Sequence, residues 1–204
     1  MNEDKIEGLI RLMKRVYERI KFYCKAASYV INLYSAIIIY KLFYRKPVKG
    51  LITMGSSNGK YCDENVSELF KYLVTKDEKV FYIIDKYSKD VHKVKNIGNV
   101  LFRFSFKANL MVLRSSIIIY DTSYLDLIRC NKKYLNHIKT VNIFHGIHAL
   151  KRISKENAQK RAENDNYIIA TSEYEKKIKK DWGFSDDRIF LTGLPRFDEL
   201  FRNK

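Results

Sequence analysis

A histidine at the end of an apolar run is the residue whose type and position most directly suggest chemistry. The run over 140–144 predicts a strand, which delivers His145 to the strand's carboxyl end. Histidine titrates near neutral pH, so it can act as a general base toward an attacking hydroxyl. Gly146 follows and lets substrate or backbone approach closely. From spacing alone, His145 can equally be a hydrogen-bonded loop residue.

Metal binding is a weaker interpretation of the same segment. His148 lies three residues after His145, so the two imidazoles could share a metal ion if the stretch is helical. No obvious carboxylate or thiol nearby in sequence completes the ligand set, and the three cysteines, Cys24, Cys62 and Cys130, form no CxxC pair. We therefore predict no metal site, no cofactor and reduced thiols.

A small-residue loop and two cations are the candidates for binding an anionic substrate. Residues 55–60 read Gly-Ser-Ser-Asn-Gly-Lys and lack the spacing of a Walker motif, but Ser57, Asn58 and Gly59 could hold an anion through backbone N–H groups. A tight turn without a ligand is the alternative. Lys151 and Arg152 follow the histidine and could meet phosphate oxygens, although most such charges are merely solvated.

Two further loops carry polar side chains. Asp121 follows a buried apolar run and could bind a hydroxyl, but we favour a role as the cap of the next segment. The segment 193–198 reads Gly-Leu-Pro-Arg-Phe-Asp. Its glycine and proline predict a turn after a strand, braced by an ion pair between Arg196 and Asp198.

The elements that must position these residues alternate along the chain. Short runs rich in β-branched residues, not polar–apolar alternation, predict strands buried on both faces, and amphipathic stretches lie between them. This pattern predicts an α/β fold with a Rossmann-like parallel sheet, whose sites form at the carboxyl ends of strands. The predicted strands are 51–54, 80–84, 99–102, 117–120, 140–144, 167–170 and 188–191, and the predicted helices are 1–46, 63–73, 106–114 and 172–182.

The chain divides near Pro47 into a basic helical extension, 1–48, and a lobe, 49–204. No acidic residue occurs between Arg19 and Lys60, and aromatic and aliphatic residues lie among the lysines. Such a helix can lie in a membrane interface or pack on the protein, and both interpretations stay open. The uncharged stretch 26–40 is shorter than the ~20 residues of a spanning helix, and no signal peptide is visible, so we predict no transmembrane segment.

The net charge of +16 points to anionic partners: nucleic acid, acidic lipid headgroups or phosphate-bearing substrates. Nucleic-acid binding ranks last, because no RNP, helix-turn-helix or zinc-finger signature accompanies the charge.

The ordered combination of five motifs resembles the CDP-glycerol glycerophosphotransferases of teichoic acid synthesis. That family's pattern includes an S/N-G-K…D-N stretch, W-H-G-T-P-x-K and G-x-P-R-x-D, and the match covers about residues 49–204. The matching segments are Ser57-Asn58-Gly59-Lys60, Asp63-Glu64-Asn65, Phe144-His145-Gly146, Thr171-Ser172-Glu173-Tyr174 and Gly193-Leu194-Pro195-Arg196-Phe197-Asp198.

The resemblance implies a GT-B architecture, in which two Rossmann-like lobes enclose a cleft and this chain supplies the N-terminal, acceptor-side lobe. His145 would deprotonate the terminal hydroxyl of a lipid-linked acceptor, which then attacks CDP-glycerol or a similar CDP-polyol and expels CMP. Gly146, Lys151, Arg152 and Arg196 would contact substrate. Most donor contacts in the family come from a second lobe, so a C-terminal lobe or partner chain is expected, and the protein would be cytoplasmic and peripheral to the inner face of the cell membrane.

The sequence also departs from the family pattern. Phe144 stands at the family's tryptophan, Ile147 at its threonine and His148 at its proline. The loss of a hydroxyl at Ile147 leaves another polyol phosphate or hexose phosphate donor open. A GT-B glycosyltransferase with another nucleotide-activated donor and a non-catalytic membrane-associated module are the alternative functions, so enzymatic activity is left open.

Overall fold

The computed structural model describes residues 3–62, 64–147 and 153–198. Within these residues, seven parallel strands form one sheet in the order β3-β2-β1-β4-β5-β6-β7. The predicted Rossmann-like α/β fold is therefore confirmed. The strands are β1 Val48–Gly55, β2 Val80–Ile84, β3 Val100–Phe102, β4 Ser115–Tyr120, β5 Lys139–Asn142, β6 Tyr167–Ala170 and β7 Ile189–Leu191.

Six α-helices accompany the sheet in the described part of the chain. They are α1 Glu3–Ile39, α2 Glu64–Thr75, α3 Val91–Ile97, α4 Phe106–Arg114, α5 Lys155–Asn164 and α6 Glu173–Asp181. The described residues form two larger apolar cores, one containing residues of α1 and α4 and the other residues of α2 and α3. A third, smaller cluster contains Phe144 and Phe184. Ile118 and Ile119 are both buried and belong to different cores, which is why β4 has a continuous apolar run at this point.

The N-terminal helix is confirmed over residues 3–44. After α1 the chain winds through one π-helical segment, Tyr40–Tyr44, and the helix ends at Arg45, whose φ is 53°. Leu33, Ala36, Ile37 and Tyr40 recur at helical spacing and are buried in the core shared with α4. The division of the chain into an extension and a lobe at residue 48 stays a prediction. The part of the helix that contains residues 33–40 packs on the lobe.

Apolar side chains outside that packed face are exposed, from Ile10 and Met13 to Ile38 on α1 and Leu42 in the π-helical segment. By length and composition, the helical stretch Ile10–Tyr44 can cross a membrane. The helix is thus longer than the uncharged stretch 26–40, and the absence of a transmembrane segment stays a prediction. One such helix is weak evidence for a span, because core helices of soluble proteins have the same length and composition.

The order of the strands reverses between β1 and β4, which places a crevice at their carboxyl ends. The loop after β5 lies beside it, because β5 pairs with β4. These are the three loops that carry the predicted site residues 57–59, 121 and 145. The sheet thus brings to one edge residues that lie almost ninety positions apart in the sequence.

Candidate active site

Phe144 presents His145 from a constrained backbone. Strand β5 ends at Asn142, two residues before the predicted end, because Phe144 adopts φ 48° in the left-handed region. A non-glycine residue there costs about 1–2 kcal/mol. Two hydrogen bonds hold it: its N–H donates to Asn142 Oδ1 (3.1 Å), and its carbonyl accepts from Asn65 Nδ2 (2.6 Å). The Phe144 ring is buried, and the His145 side chain is exposed.

A buried polar network fixes the Asn142 amide that holds Phe144. Asn142 Nδ2 donates to Asp165 Oδ2 (2.9 Å), and the Tyr120 hydroxyl donates to Asp165 Oδ1 (2.5 Å). Burial raises the pKa of Tyr120 well above its usual value, and the Asp165 charge adds to that effect, so the phenol stays a donor. Because Nδ2 faces Asp165, the Oδ1 atom of Asn142 is left to face the Phe144 N–H.

Asn65 connects the histidine loop to the segment 193–198. It lies fully buried near the start of α2, and its Oδ1 accepts from the Arg196 N–H (3.3 Å) while its Nδ2 binds Phe144. Arg196 forms an ion pair with Glu64 at 3.4 Å between Nη1 and Oε2. The predicted brace between Arg196 and Asp198 is therefore wrong: the charge partner in the described structure comes from α2, since the 3₁₀ helix Pro195–Asp198 packs there.

The Phe144 ring contacts a buried ion pair. Lys179 is fully buried, with Nζ 4.0 Å from the centroid of the Phe144 ring and 4.2 Å from that of Trp182. Its Nζ lies 3.2 Å from Glu175 Oε1, and Glu175 Oε2 accepts from the Thr171 N–H and hydroxyl, both at 2.8 Å. Burial lowers the pKa of Lys179 to about 8, against the opposing effect of Glu175. The segment 171–174 thus begins the helix that supports Phe144.

The loop 55–59 uses its backbone donors inside the protein. The N–H of Ser57 donates to Asp121 Oδ1 (3.3 Å), that of Asn58 to Asp126 Oδ1 (2.8 Å), and that of Gly59 to the Ser56 carbonyl (2.7 Å). An anion held by these three N–H groups would have to displace those acceptors. Substrate contact by Ser57, Asn58 and Gly59 stays a prediction, and it rests on their side chains or on rearrangement.

Gly59 and Asn58 have structural explanations. A Cβ on Gly59 would lie 2.9 Å from the Asp85 nitrogen, and φ there is 76°, so only glycine fits. Asn58, with φ 56°, is held by Arg103, which donates to its carbonyl (2.6 Å) and side-chain oxygen (3.1 Å). The alternative of a tight turn describes this loop well.

Asp121 is not a cap. The 3₁₀ helix Tyr124–Asp126 is capped by Ser123, with Asp126 completing a capping box, so the favoured interpretation of Asp121 is wrong. Asp121 instead is buried and accepts from the Ser57 N–H and the Thr122 hydroxyl. Burial, and next the Asp126 carboxylate, raise the pKa of Asp121 to about 6, while the charge of His145 acts in the opposite direction. An acid with a shifted pKa thus lies within electrostatic reach of His145.

Replacing Asp121 by asparagine should stabilise the protein near pH 7 by about 1–2 kcal/mol. The wild-type carboxyl has a folded pKa above its ordinary 3.8, so its contribution to stability is lost as pH rises from about 4 to about 6. Urea unfolding of the variant should lack that decline. The exposed Asp187→Asn change serves as the control, and an unaltered pH dependence in Asp121→Asn would contradict the assignment.

The remaining predicted positions are partly described. Gly146 is half-buried, and a Cβ there would meet no described atom within 4 Å, so the space beside it is open. Lys151 and Arg152 lie outside the described residues, as do Asp63 and His148. Among the residues that the structure does describe, no group of three metal-ligating side chains occurs.

The sequence did not single out the residues that hold the histidine loop. Asn65 was visible only as part of the stretch that carries the family resemblance, and nothing in its type indicates that it bridges two loops. Lys179 resembles the solvated lysines around it in α6. Asn142 and Asp165 become partners only because β4, β5 and the end of α5 meet.

The fold, with a histidine at the carboxyl edge of its sheet, is that of a Rossmann-like lobe. Similarity to known proteins shows the family to which this lobe belongs. The family model described as CDP-Glycerol:Poly(glycerophosphate) glycerophosphotransferase matches residues 38–204. The chain belongs to this family.

One relative is the minor teichoic acid biosynthesis protein GgaB of Bacillus subtilis (strain 168), 28% identical over 178 residues, which covers 81% of this chain and 19% of GgaB. Among solved structures, the wall teichoic acid polymerase TagF superposes with a TM-score of 0.62 at 16% identity, covering 90% of this chain and 50% of that chain. A histidine variant of TagF gives 0.61 at 16% identity, with 88% and 49% covered. The chain thus spans about a fifth of GgaB and half of the TagF chains, and the likeness to TagF concerns the fold.

Proposed function

We propose that this chain forms the acceptor-side lobe of a transferase that moves a polyol phosphate from a CDP-linked donor to a lipid-linked acceptor in teichoic acid or related cell-surface polymer synthesis. The observation that carries the proposal is the exposed His145, displayed at the carboxyl edge of the sheet by a strained Phe144 whose N–H and carbonyl are both held. Backbone strain maintained by its surroundings is typical of functional sites. Family membership supplies the reaction class.

In the proposed reaction His145 removes the proton from the acceptor's terminal hydroxyl. The oxygen attacks the β-phosphorus of the donor, a new phosphate ester bond forms, and the bond to the leaving CMP breaks. Phosphoryl transfer depends mainly on positioning and charge neutralisation. Arg196, which the structure brings to the same edge as Phe144 through Asn65, and Lys151 and Arg152 are the cations proposed for that task.

Relatives support the choice of donor and pathway. GgaB is named for minor teichoic acid biosynthesis, TagF is a wall teichoic acid polymerase, and one TagF variant was soaked with CDPG. CDP-glycerol is therefore the first donor to test. The proposal places the protein on the cytoplasmic side, peripheral to the membrane, where the exposed apolar side chains of α1 would face the lipid that carries the acceptor.

Two alternatives have specific motivations. Ile147, exposed beside His145, stands where the family has threonine, which favours a different nucleotide-activated donor. The exposed apolar face of α1 favours a non-catalytic, membrane-associated module. The first alternative turns over another nucleotide-activated donor, and the second turns over no donor.

An assay with several donors distinguishes these three hypotheses. The chain, assayed together with a CDP-glycerol-binding lobe and a lipid-linked glycerol phosphate primer, should release CMP from CDP-glycerol. CDP-ribitol and UDP-sugars should be turned over at least tenfold more slowly. A preference for either would replace the donor assignment. No turnover of any of these donors would contradict the transferase proposal and favour the membrane-associated module.

A further inference from the structure

Two neighbouring cavities lie between α1 and the segment 129–137, away from the candidate active site. Their volumes are about 430 and 380 Å³, and they share Ile37, Lys133 and Tyr134 in their walls. They therefore form one continuous depression, which we call the α1 groove. Its walls contain none of the residues assigned to the active site.

The groove is lined by basic side chains. Lys41, Lys133, Arg129 and His137 line it, and no acidic residue does so among the described residues. The Nζ atoms of Lys41 and Lys133 lie 5.4 and 5.3 Å from the centroid of the same ring, Tyr134. Both ammonium groups thus lie near the Tyr134 ring, and ammonium groups donate charge-assisted hydrogen bonds to phosphate oxygens.

Tyr40 supplies a donor without a partner. Its side chain lines the groove and is 7% exposed, and its hydroxyl is buried with no hydrogen-bond partner in the described part of the chain. A buried polar atom left unpaired costs about 1–3 kcal/mol, so a ligand oxygen that displaces the side chains covering this hydroxyl and accepts from it would be stabilising.

The Tyr40 ring is held in place by His137. The two rings stack at 4.9 Å between centroids and 15° between planes. His137 Nε2 lies 2.8 Å from the Leu113 carbonyl oxygen and therefore carries the proton that it donates. The Tyr40 ring thus stacks on a ring that is itself anchored to α4.

We propose that the α1 groove binds a phosphate group, carried by a phospholipid headgroup or by a soluble phosphate ester. Ile31, Tyr34, Ile38 and Leu42 form an exposed stripe at helical spacing along α1 and the π-helical segment that follows it, and Tyr34 also lines the groove. A headgroup in the groove would leave its acyl chains beside this stripe. The inference does not rest on the proposed transfer reaction.

The test uses the full chain and two variants of the groove. Lys41→Ala/Lys133→Ala removes two charges, and Tyr40→Phe removes only the hydroxyl. Lys89→Ala/Lys177→Ala removes the same charge from exposed positions elsewhere. Amide NMR spectra check that each variant is folded. The soluble probes are inorganic phosphate and glycerol phosphate, followed by amide shifts, and the membrane probes are phosphatidylcholine vesicles with and without phosphatidylglycerol, followed by sedimentation.

Replacing both lysines is expected to weaken binding of whichever probe binds the wild type by about tenfold, and Tyr40→Phe by about threefold. The control variant should stay within about twofold of the wild type. A loss confined to phosphatidylglycerol vesicles assigns the site to a headgroup, and a loss confined to soluble probes assigns it to a phosphate ester. Equal losses in the groove and control pairs would mean non-specific electrostatics and overturn the proposal, as would the absence of binding to every probe.

Discussion

Replacing His145 by glutamine is expected to slow CMP release from CDP-glycerol by about 10²–10⁴-fold, the usual contribution of a general base. Glutamine retains hydrogen-bonding atoms but cannot take up the acceptor proton. The loss should therefore fall on kcat more than on KM. The measurement is a single-turnover assay of this chain together with a donor-binding lobe.

The matched control is His92→Gln. His92 is exposed on α3, on an element that contributes nothing to the histidine loop, and its replacement should leave the rate unchanged. Equal losses in the two variants, or an active His145→Gln, would remove His145 from the catalytic role.

The second large effect concerns stability. Replacing Lys179 by methionine is expected to lower the free energy of unfolding by about 3–5 kcal/mol, because it leaves the Glu175 carboxylate buried without its cation. Adding Glu175→Gln should recover most of that loss, since glutamine still accepts from Thr171. Urea denaturation measures both, and the exposed Lys177→Met on the same helix is the control. A loss in Lys177→Met as large as in Lys179→Met would contradict the buried pair.

The pH dependence of stability provides a further readout of Lys179. Its folded pKa, about 8, lies below the ordinary 10.5. Between these values the unfolded chain binds the proton more strongly than the folded one, so stability should rise as pH increases from about 8 to about 10.5. The rise should be absent in the double variant. A wild type whose stability stays flat over this window would contradict the depressed pKa.

The sheet was predictable because its strands are buried on both faces. Runs such as 80–84 and 167–170 have no polar interruption, and the structure places β2 and β6 over those residues. Helix α5 was missed for the opposite reason: it is almost entirely polar, and Ala158 is its one residue that is fully buried in the described structure. Helix α3 has only seven residues, too few for a period to stand out.

The position of His145 was predictable, but the means of holding it were not. A strand with a histidine at its end can be recognised along the chain, and the resemblance then supplies a role. Phe144 reads as an ordinary strand residue. Its positive φ depends on Asn65, which is 79 residues away, and on Asn142, whose orientation is set by Asp165. Such partners are set by tertiary contacts that no local pattern encodes.

The loop 55–59 shows a different limit. Its small residues are those of anion-binding loops, but the same composition suits a tight turn. What decides between them is the neighbouring loop after β4, whose Asp121 and Asp126 take up the backbone donors. That pairing depends on the strand order, which the sequence does not reveal.

The most direct test of the central claim, that His145 removes the acceptor proton, is chemical rescue. In His145→Ala, added imidazole can occupy the vacated space beside Gly146 and act as the base. If His145 is the base, imidazole should restore CMP release in a saturable manner and leave the wild-type rate unchanged. A His145→Ala protein that releases CMP at the wild-type rate without imidazole would contradict this claim.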